Sequence, residues 1–278
     1  MRQGSTVHFL GCLAGLGEGL LQKLIFDNIS CSIAVEWYDR VIDHLASDLE
    51  VIQMRPTKFN NDSVNSGDLV IYFLDGSATD ESAVLNNLRC NVLVISRDAN
   101  YNIQSNGEIK QICVYDLIPH SLMANVTNKT LDKMLLCCQN KMLYQGQDSS
   151  KKHWWVSQQD VASAIALVID DFTKLPLNSQ LSGRRGWTDS ETFHQLQMLY
   201  ERTMAGATGE FRTAHLVPAS PVSPNLEKVT GIVDTERPDL MPLNDLLKSV
   251  SGMGWRPMVP LRASLMQYLA TKSTDYNV

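Results

Sequence analysis

No apolar run in these 278 residues approaches the ~18 that cross a bilayer, so no segment is expected to span a membrane. Positive charge is in deficit, with 24 Lys and Arg against 30 Asp and Glu, which argues against general nucleic-acid binding. Lys151-Lys152 and Arg184-Arg185 are basic pairs too short to reverse that. Metal-ligand spacing is missing as well. His8, His44, His120, His153, His194 and His215 form no His-x-x-x-His pair, and Cys12, Cys31, Cys90, Cys113, Cys137 and Cys138 have no zinc-type spacing. We therefore expect no metal and reduced thiols. The N-terminus carries one early arginine and then a strand that the fold needs, so no signal peptide and a cytoplasmic location are expected. A hydrolase elbow has no support, since Gly-x-Ser-x-Gly is absent.

What is present is an alternation of short apolar runs with helical patterns, the rhythm of a parallel sheet covered on both faces. Strands are expected near Thr6–Leu10, Ser32–Tyr38, Leu49–Met54, Leu69–Leu74, Asn91–Ser96 and Gln111–Tyr115. Helices are expected from Gly15 to Phe26, from about Tyr38, over Thr79–Asn87, and over Thr130–Tyr144 with Leu131, Met134, Leu135 and Cys138 on one face. After a polar turn at Gly146–Lys152, His153–Val156 reads as a short strand. Ser157-Gln-Gln-Asp160 then has the form of a capping box opening an apolar helix, Val161–Phe172. Leu167 is expected in the core with Trp154-Trp155, whereas His153 is expected to matter little. Further helices read as Asp189–Met204 and Leu243–Ser251, and Thr208–Lys228 as a long loop. Residues 1–172 are read as one domain, with 121–150 partly serving a small lobe, and 173–278 as that lobe.

Val7-His8-Phe9-Leu10-Gly11-Cys12-Leu13-Ala14-Gly15-Leu16-Gly17 reads as strand, glycine turn and helix start. Such turns let a backbone approach a pyrophosphate whose charge rests on helix N-terminal N–H groups. The same glycines also serve purely structural turns. A ribose-reading acid is expected about 20–28 residues further on, where Glu36-Trp37-Tyr38-Asp39-Arg40 stands. The alternative for Asp39 is a surface residue capping the next helix.

With these segments the chain resembles the extended short-chain dehydrogenases, the NAD-dependent epimerase/dehydratase family. Gly11–Gly17 is similar to that family's Gly-Ala-Thr-Gly-Phe-Ile-Gly run, and Trp155–Ala162 to its Val-x-Val-x-Asp-Val-Ala run. Ser182-Gly183 through Thr188-Asp189, with the helix after it, and Gly254-Trp255-Arg256-Pro257 resemble two further segments, in order, across nearly the whole chain. The resemblance implies an α/β fold, a Rossmann-like doubly wound parallel sheet with a small C-terminal substrate-type lobe. It implies NAD or NADP at Gly11, Ala14, Gly15 and Gly17, with Asp39 at the ribose, Glu36 in reserve, and Arg40 and Asp75 beside the cofactor. The implied partner is a nucleotide sugar or a sugar-nucleotide enzyme.

The family's chemistry rests on a Tyr-x-x-x-Lys helix between the fifth and sixth strands. Here the interval from Arg97 to Lys110 is polar, rich in Asn100, Asn102, Asn106 and Gly107, and Tyr101 is followed at the fourth position by Ser105. The chain's one Tyr-x-x-x-Lys match is Tyr268–Lys272, near its end. Arg97-Asp98 follows Ser96 where the family's serine pair begins. Ala14 puts a methyl group where phosphate approaches, Arg55-Pro56-Thr57-Lys58 replaces an adenine contact, and Leu74-Asp75-Gly76 replaces two small residues. Arg184-Arg185 would suit a sugar diphosphate or lie in a solvated loop. The expected function is a degenerate epimerase-like protein without the standard redox step, acting in nucleotide or sugar-nucleotide binding, regulation or scaffolding. The alternatives are an enzyme rearranged around Asp75, Asp98, Tyr101 or Tyr115, and a pure interaction module. Without the dimer-building helix, a monomer or a dimer through another surface is expected.

Overall fold

Val7, Phe9, Val70, Ile71, Val92 and Leu93 have no solvent exposure, because their strands are covered on both faces. The computed structural model describes residues 5–50, 52, 54–74, 85, 88–97, 106–121, 123–144, 152–216 and 237–273. Its elements begin with β1 (Val7–Gly11), α1 (Leu16–Phe26), β2 (Cys31–Ile33), α2 (Val35–His44), α3 (Ala46–Leu49) and β3 (Thr57–Lys58). Next come β4 (Leu69–Phe73), β5 (Asn91–Ser96), β6 (Ile109–Val114), β7 (Leu117–Ile118), α4 (Lys129–Gln139), β8 (Lys152–His153) and β9 (Val156–Ser157). The chain continues through α5 (Gln158–Ile169), β10 (Asn178–Leu181), β11 (Trp187–Thr188), α6 (Asp189–Thr208), α7 (Met241–Ser251) and α8 (Leu261–Ser273).

Seven strands form one sheet in the order β10-β6-β5-β4-β1-β2-β3, and every pairing in it is parallel. The order reverses between β1 and β4, as in a Rossmann-like doubly wound fold, and ligands of such sheets lie beyond the strand ends at that point. Helices α1 and α5 pack on one face, burying Leu20, Leu24, Val161 and Ile165.

Two expected strands are corrected. The second ends at Ile33, and Val35–His44 is helix, because Trp37, Val41 and Leu45 recur at helical spacing and turn onto the core. The third does not begin at Leu49, and residues 51 and 53 of the expected Leu49–Met54 lie outside the described residues. Leu49 closes a short helix with its side chain buried, and pairing with β2 starts only at Thr57, after Pro56, which has no N–H to give a ladder. The expected strands at β1, β4, β5 and β6 are present within a residue or two. The expected helix at Thr79–Asn87, apart from Leu85, lies outside the described residues, as does most of the polar interval, residues 98–105, and of the long loop, residues 217–236.

A second apolar cluster builds the small lobe from α4, α6 and α8, with Leu131, Met134 and Leu135 against Leu196, Leu265 and Leu269. β10 completes the large sheet, and Leu243, Leu246 and Leu247 of α7 join the main core.

Polar contacts fasten the lobes. Ser157 caps α5 as expected, accepting from the Gln159 and Asp160 N–H groups. Asp160 is corrected from its capping-box role: its two carboxylate oxygens accept from Met258 N at 2.9 Å and Val259 N at 3.0 Å. Trp255 donates its indole N–H to the Ser182 carbonyl at the end of β10. Trp154 and Trp155 are buried as expected, but the other two packing expectations reverse. Leu167 is 43% exposed on the outer face of α5, whereas His153 is 4% exposed. His153 sits between Asp116 and Asp189 and stacks on Trp155.

Candidate functional site

The glycine turn stands at the C-terminal end of β1, beside the reversal in strand order. Gly11 has φ 78°, and a Cβ there would lie 2.3 Å from the Phe73 carbonyl oxygen of β4, so the tight turn requires glycine. Gly15 caps α1 with φ 74° and offers no side chain to the helix N-terminus. Gly17 is buried against Leu13 and Phe73, where only a small residue brings the helix onto the sheet. The methyl of Ala14 lines a cavity of about 50 Å³ at the strand ends with Cys12, Phe73, Ser96 and Arg97.

The surroundings of Gly15 are closed by other parts of the chain. A Cβ on it would meet Gln158 Oε1 at 3.3 Å, Val126 Cγ1 at 3.4 Å and the His120 carbonyl oxygen at 3.8 Å. Glu18, in the first turn of α1, is 9% exposed. Its carboxylate accepts from Ser121 Oγ and lies 3.1 Å from His44 Nε2. Burial lowers the pKa of His120, against the opposing charge of Glu18, so its ring is neutral at pH 7. The positive end of α1 therefore already holds an internal anion. These groups do not fit a dinucleotide pyrophosphate as they stand.

The ribose-side expectations separate from the turn. Asp39 lies within α2 rather than at a strand end; its side chain is 83% exposed and 3.5 Å from Lys58 Nζ. Arg40 is exposed, with its guanidinium 5.6 Å from the centre of the Trp37 ring. Glu36 is exposed in the first turn of the same helix, and Ala34 and Val35 occupy the end of β2. Asp75, Asp98 and Tyr101 lie outside the described residues; Tyr115 is half-buried after β6 and donates its backbone N–H to Leu181.

Hydroxyl and cationic groups near the strand ends serve the fold. Ser96 Oγ, 1% exposed, accepts from Gln111 Nε2 at 2.7 Å. The Tyr268–Lys272 pair stands on α8 in the small lobe and closes on one carboxylate of α4. The Tyr268 hydroxyl donates to Asp132, and Lys272 Nζ lies 3.0 Å from Asp132 Oδ1. Burial, followed by the Asp132 carboxylate, raises the phenol pKa far above its usual value, opposite to what an acid/base tyrosine needs.

Ser32, His8 and Asp68 form a Ser–His–Asp line, with Oγ 2.6 Å from Nδ1 and Nε2 3.3 Å from the carboxylate. Ser32 stands on β2, His8 on β1 and Asp68 just before β4; all three are 3–4% exposed, which seals them from any substrate, and burial lowers the His8 pKa. Among the described residues, no group of three His, Cys, Asp or Glu side chains could hold a metal ion. No described helix is long and apolar enough to cross a membrane.

A groove of about 440 Å³ opens where β10 ends, between the start of α7 and Trp255. Arg184 and Arg237 line it with Asp239 and Asn244. The Arg237 guanidinium lies 5.1 Å from the centre of the Trp154 ring. Arg185 turns elsewhere, stacking 3.8 Å over Trp187 and 3.6 Å from Glu191. Sequence reasoning named Arg184 but missed Arg237, whose place beside a glycine-poor Pro-Asp turn gave no motif. It also missed Glu18 and Ser121; an acid in the first turn of α1 was the legible signal for the former.

No family model matches the chain, and no curated protein matches it. Solved structures do. The UDP-glucose-4-epimerase of Stenotrophomonas maltophila, with bound NAD and formylated UDP-arabinopyranose, aligns over 99% of this chain and 100% of its own at 11% identity, TM-score 0.56. The Bordetella bronchiseptica enzyme WbmF in complex with NADH aligns over 98% and 93% at 11% identity, TM-score 0.54. The terminal R domain from the myxalamid PKS-NRPS pathway aligns over 99% and 92% at 13% identity, TM-score 0.57. The chain has the Rossmann-like fold of these enzymes.

Proposed function

We propose that this protein is a degenerate member of the NAD-dependent epimerase/dehydratase group that binds a nucleotide or nucleotide sugar without the standard redox step. It acts as a regulatory or scaffolding subunit, as a monomer or as a dimer through a surface other than the family's. The observation that carries this reading is the use made of the chain's one Tyr-x-x-x-Lys pair: Tyr268 and Lys272 are both committed to Asp132, in a different lobe from the glycine turn. Ser96 is likewise committed to Gln111. The groove holding Arg184 and Arg237 supports a diphosphate ligand, because guanidinium forks match phosphate oxygens. WbmF with NAD+ and UDP, which has this fold, lends the nucleotide class.

Mass spectrometry of small molecules released from the purified protein, followed by calorimetric titration of UDP-sugars, tests this. The expected result is nucleotide-sugar binding that weakens at least tenfold in Arg237→Ala, with no change in NAD(P)H absorbance on mixing. Steady oxidation or reduction of NAD(P) with a nucleotide sugar would overturn it.

A further inference from the structure

Residues 120, 121 and 123–128 lie across the start of α1 and are tied at several points. The His120 N–H donates to Gln158 Oε1, and Ser121 Oγ donates to Glu18. Ser121 Oγ also accepts from the Met123 and Ala124 N–H groups. Further on, Lys272 Nζ donates to the Val126 carbonyl at 2.8 Å, and Arg97 Nη1 to the Thr127 carbonyl at 3.1 Å. Val126 itself is buried and packs toward Gly15.

Two physical effects act at the same place. The first is steric: Gln158, Val126 and the His120 carbonyl occupy the approach to Gly15, where a phosphate would need the bare backbone. The second is electrostatic. A helix N-terminus carries about half a positive charge, and the Glu18 carboxylate, one turn in and 9% exposed, compensates it from within. An incoming pyrophosphate meets a low-dielectric site that already holds an anion, so like-charge repulsion adds to the steric closure.

We propose that this strap is an autoinhibitory latch: the strap, tied to α1 by Ser121, and the buried Glu18 charge together keep the glycine turn shut against dinucleotides, and removing either the tie or the charge restores anion binding there. Arg97 and Lys272 hold the far end, so the strap hinges from that end when the Ser121 contact is lost. The inference stands apart from the nucleotide-sugar groove, which lies at the end of β10.

Calorimetric titration of NADH and ADP into the full chain tests it, with Glu18→Gln and Ser121→Ala as paired variants. Glu18→Gln removes the charge and keeps an acceptor for Ser121; Ser121→Ala removes the tie and keeps the charge. We expect millimolar or undetectable NADH binding by the wild type, and at least tenfold tighter binding by each variant. Tight NADH binding by the wild type, unchanged or weakened in both variants, overturns the proposal. So does the absence of binding in a wild type and variants that share one melting temperature. Should Glu18→Gln fail to fold, Ser121→Ala alone decides between these outcomes.

Discussion

His153 Nε2 lies 2.8 Å from Asp189 Oδ1, although the histidine is 4% exposed. Its other ring nitrogen is 3.0 Å from Asp116 Oδ1, and Tyr144 completes the set through Asp189. A ring donating from both nitrogens is protonated. Burial alone lowers the His153 pKa, but the hydrogen bonds and charges of Asp116 and Asp189 outweigh it and raise the value. Stabilisation from a raised pKa is complete below the unfolded-state value near 6.5 and fades as pH climbs through the folded-state value. The unfolding free energy of wild type minus that of His153→Gln is therefore expected to be largest at pH 6 and to shrink toward alkaline pH. Breaking such a buried pair costs about 3–5 kcal/mol. Denaturant titrations at several pH values check it; a flat difference would mean that His153 is neutral.

Within α5, neighbouring positions differ sharply. Ile165 is fully buried and Leu167 is 43% exposed. Ile165→Ala is expected to lose about 2–5 kcal/mol, and Leu167→Ala under about 1 kcal/mol. Thermal melts of the two variants side by side give the comparison, and equal losses would misplace the helix face.

Asp160→Asn is expected to destabilise by about 1–3 kcal/mol, because an amide offers one oxygen where two backbone N–H groups need acceptors. Its second signature is positional: limited proteolysis should nick the chain near Met258 before anywhere in the sheet. A variant as protease-resistant as the wild type would show that the carboxylate contributes nothing to holding that segment.

Tyr268→Phe removes one buried hydroxyl facing Asp132, and a loss of about 1–2 kcal/mol is expected. Any nucleotide-sugar affinity measured for the wild type should persist in this variant. A large drop in affinity at unchanged melting temperature would place Tyr268 at a ligand.

The sheet was legible wherever burial on both faces forces an unbroken apolar run, as in Leu69–Phe73 and Asn91–Ser96. It was misread at Ser32–Tyr38, where Val35, Trp37 and Tyr38 continue the strand-favouring composition past Ile33 and only the spacing of Trp37, Val41 and Leu45 reveals the helix. The consequence reached the site, since Asp39 was assigned to the ribose on the strength of that strand. The glycine turn was readable because Gly11 answers a local demand of the backbone. What closes the turn was not readable, because Ser121 meets Glu18 across 103 residues and no local pattern records such a pairing. Leu167 and His153 went wrong for the same reason: burial depends on which face of a helix, or which gap between lobes, the tertiary structure fills.

The ties made by the C-terminal segment also set a timetable. Asp160 meets its partner 98 residues later, Asp132 waits 136 residues for Tyr268, and Asn125 waits 147 for Lys272. At ribosomal speeds of about 5–20 residues per second, α5 is finished roughly 5–20 s before the strand of chain that Asp160 must grip. During that delay the apolar face of α4, with Leu131, Met134 and Leu135, has no Leu265 or Leu269 to cover it. The nascent small lobe thus presents a sticky surface to chaperones and to neighbouring chains, and closure of the molecule is a late, long-range and correspondingly slow event.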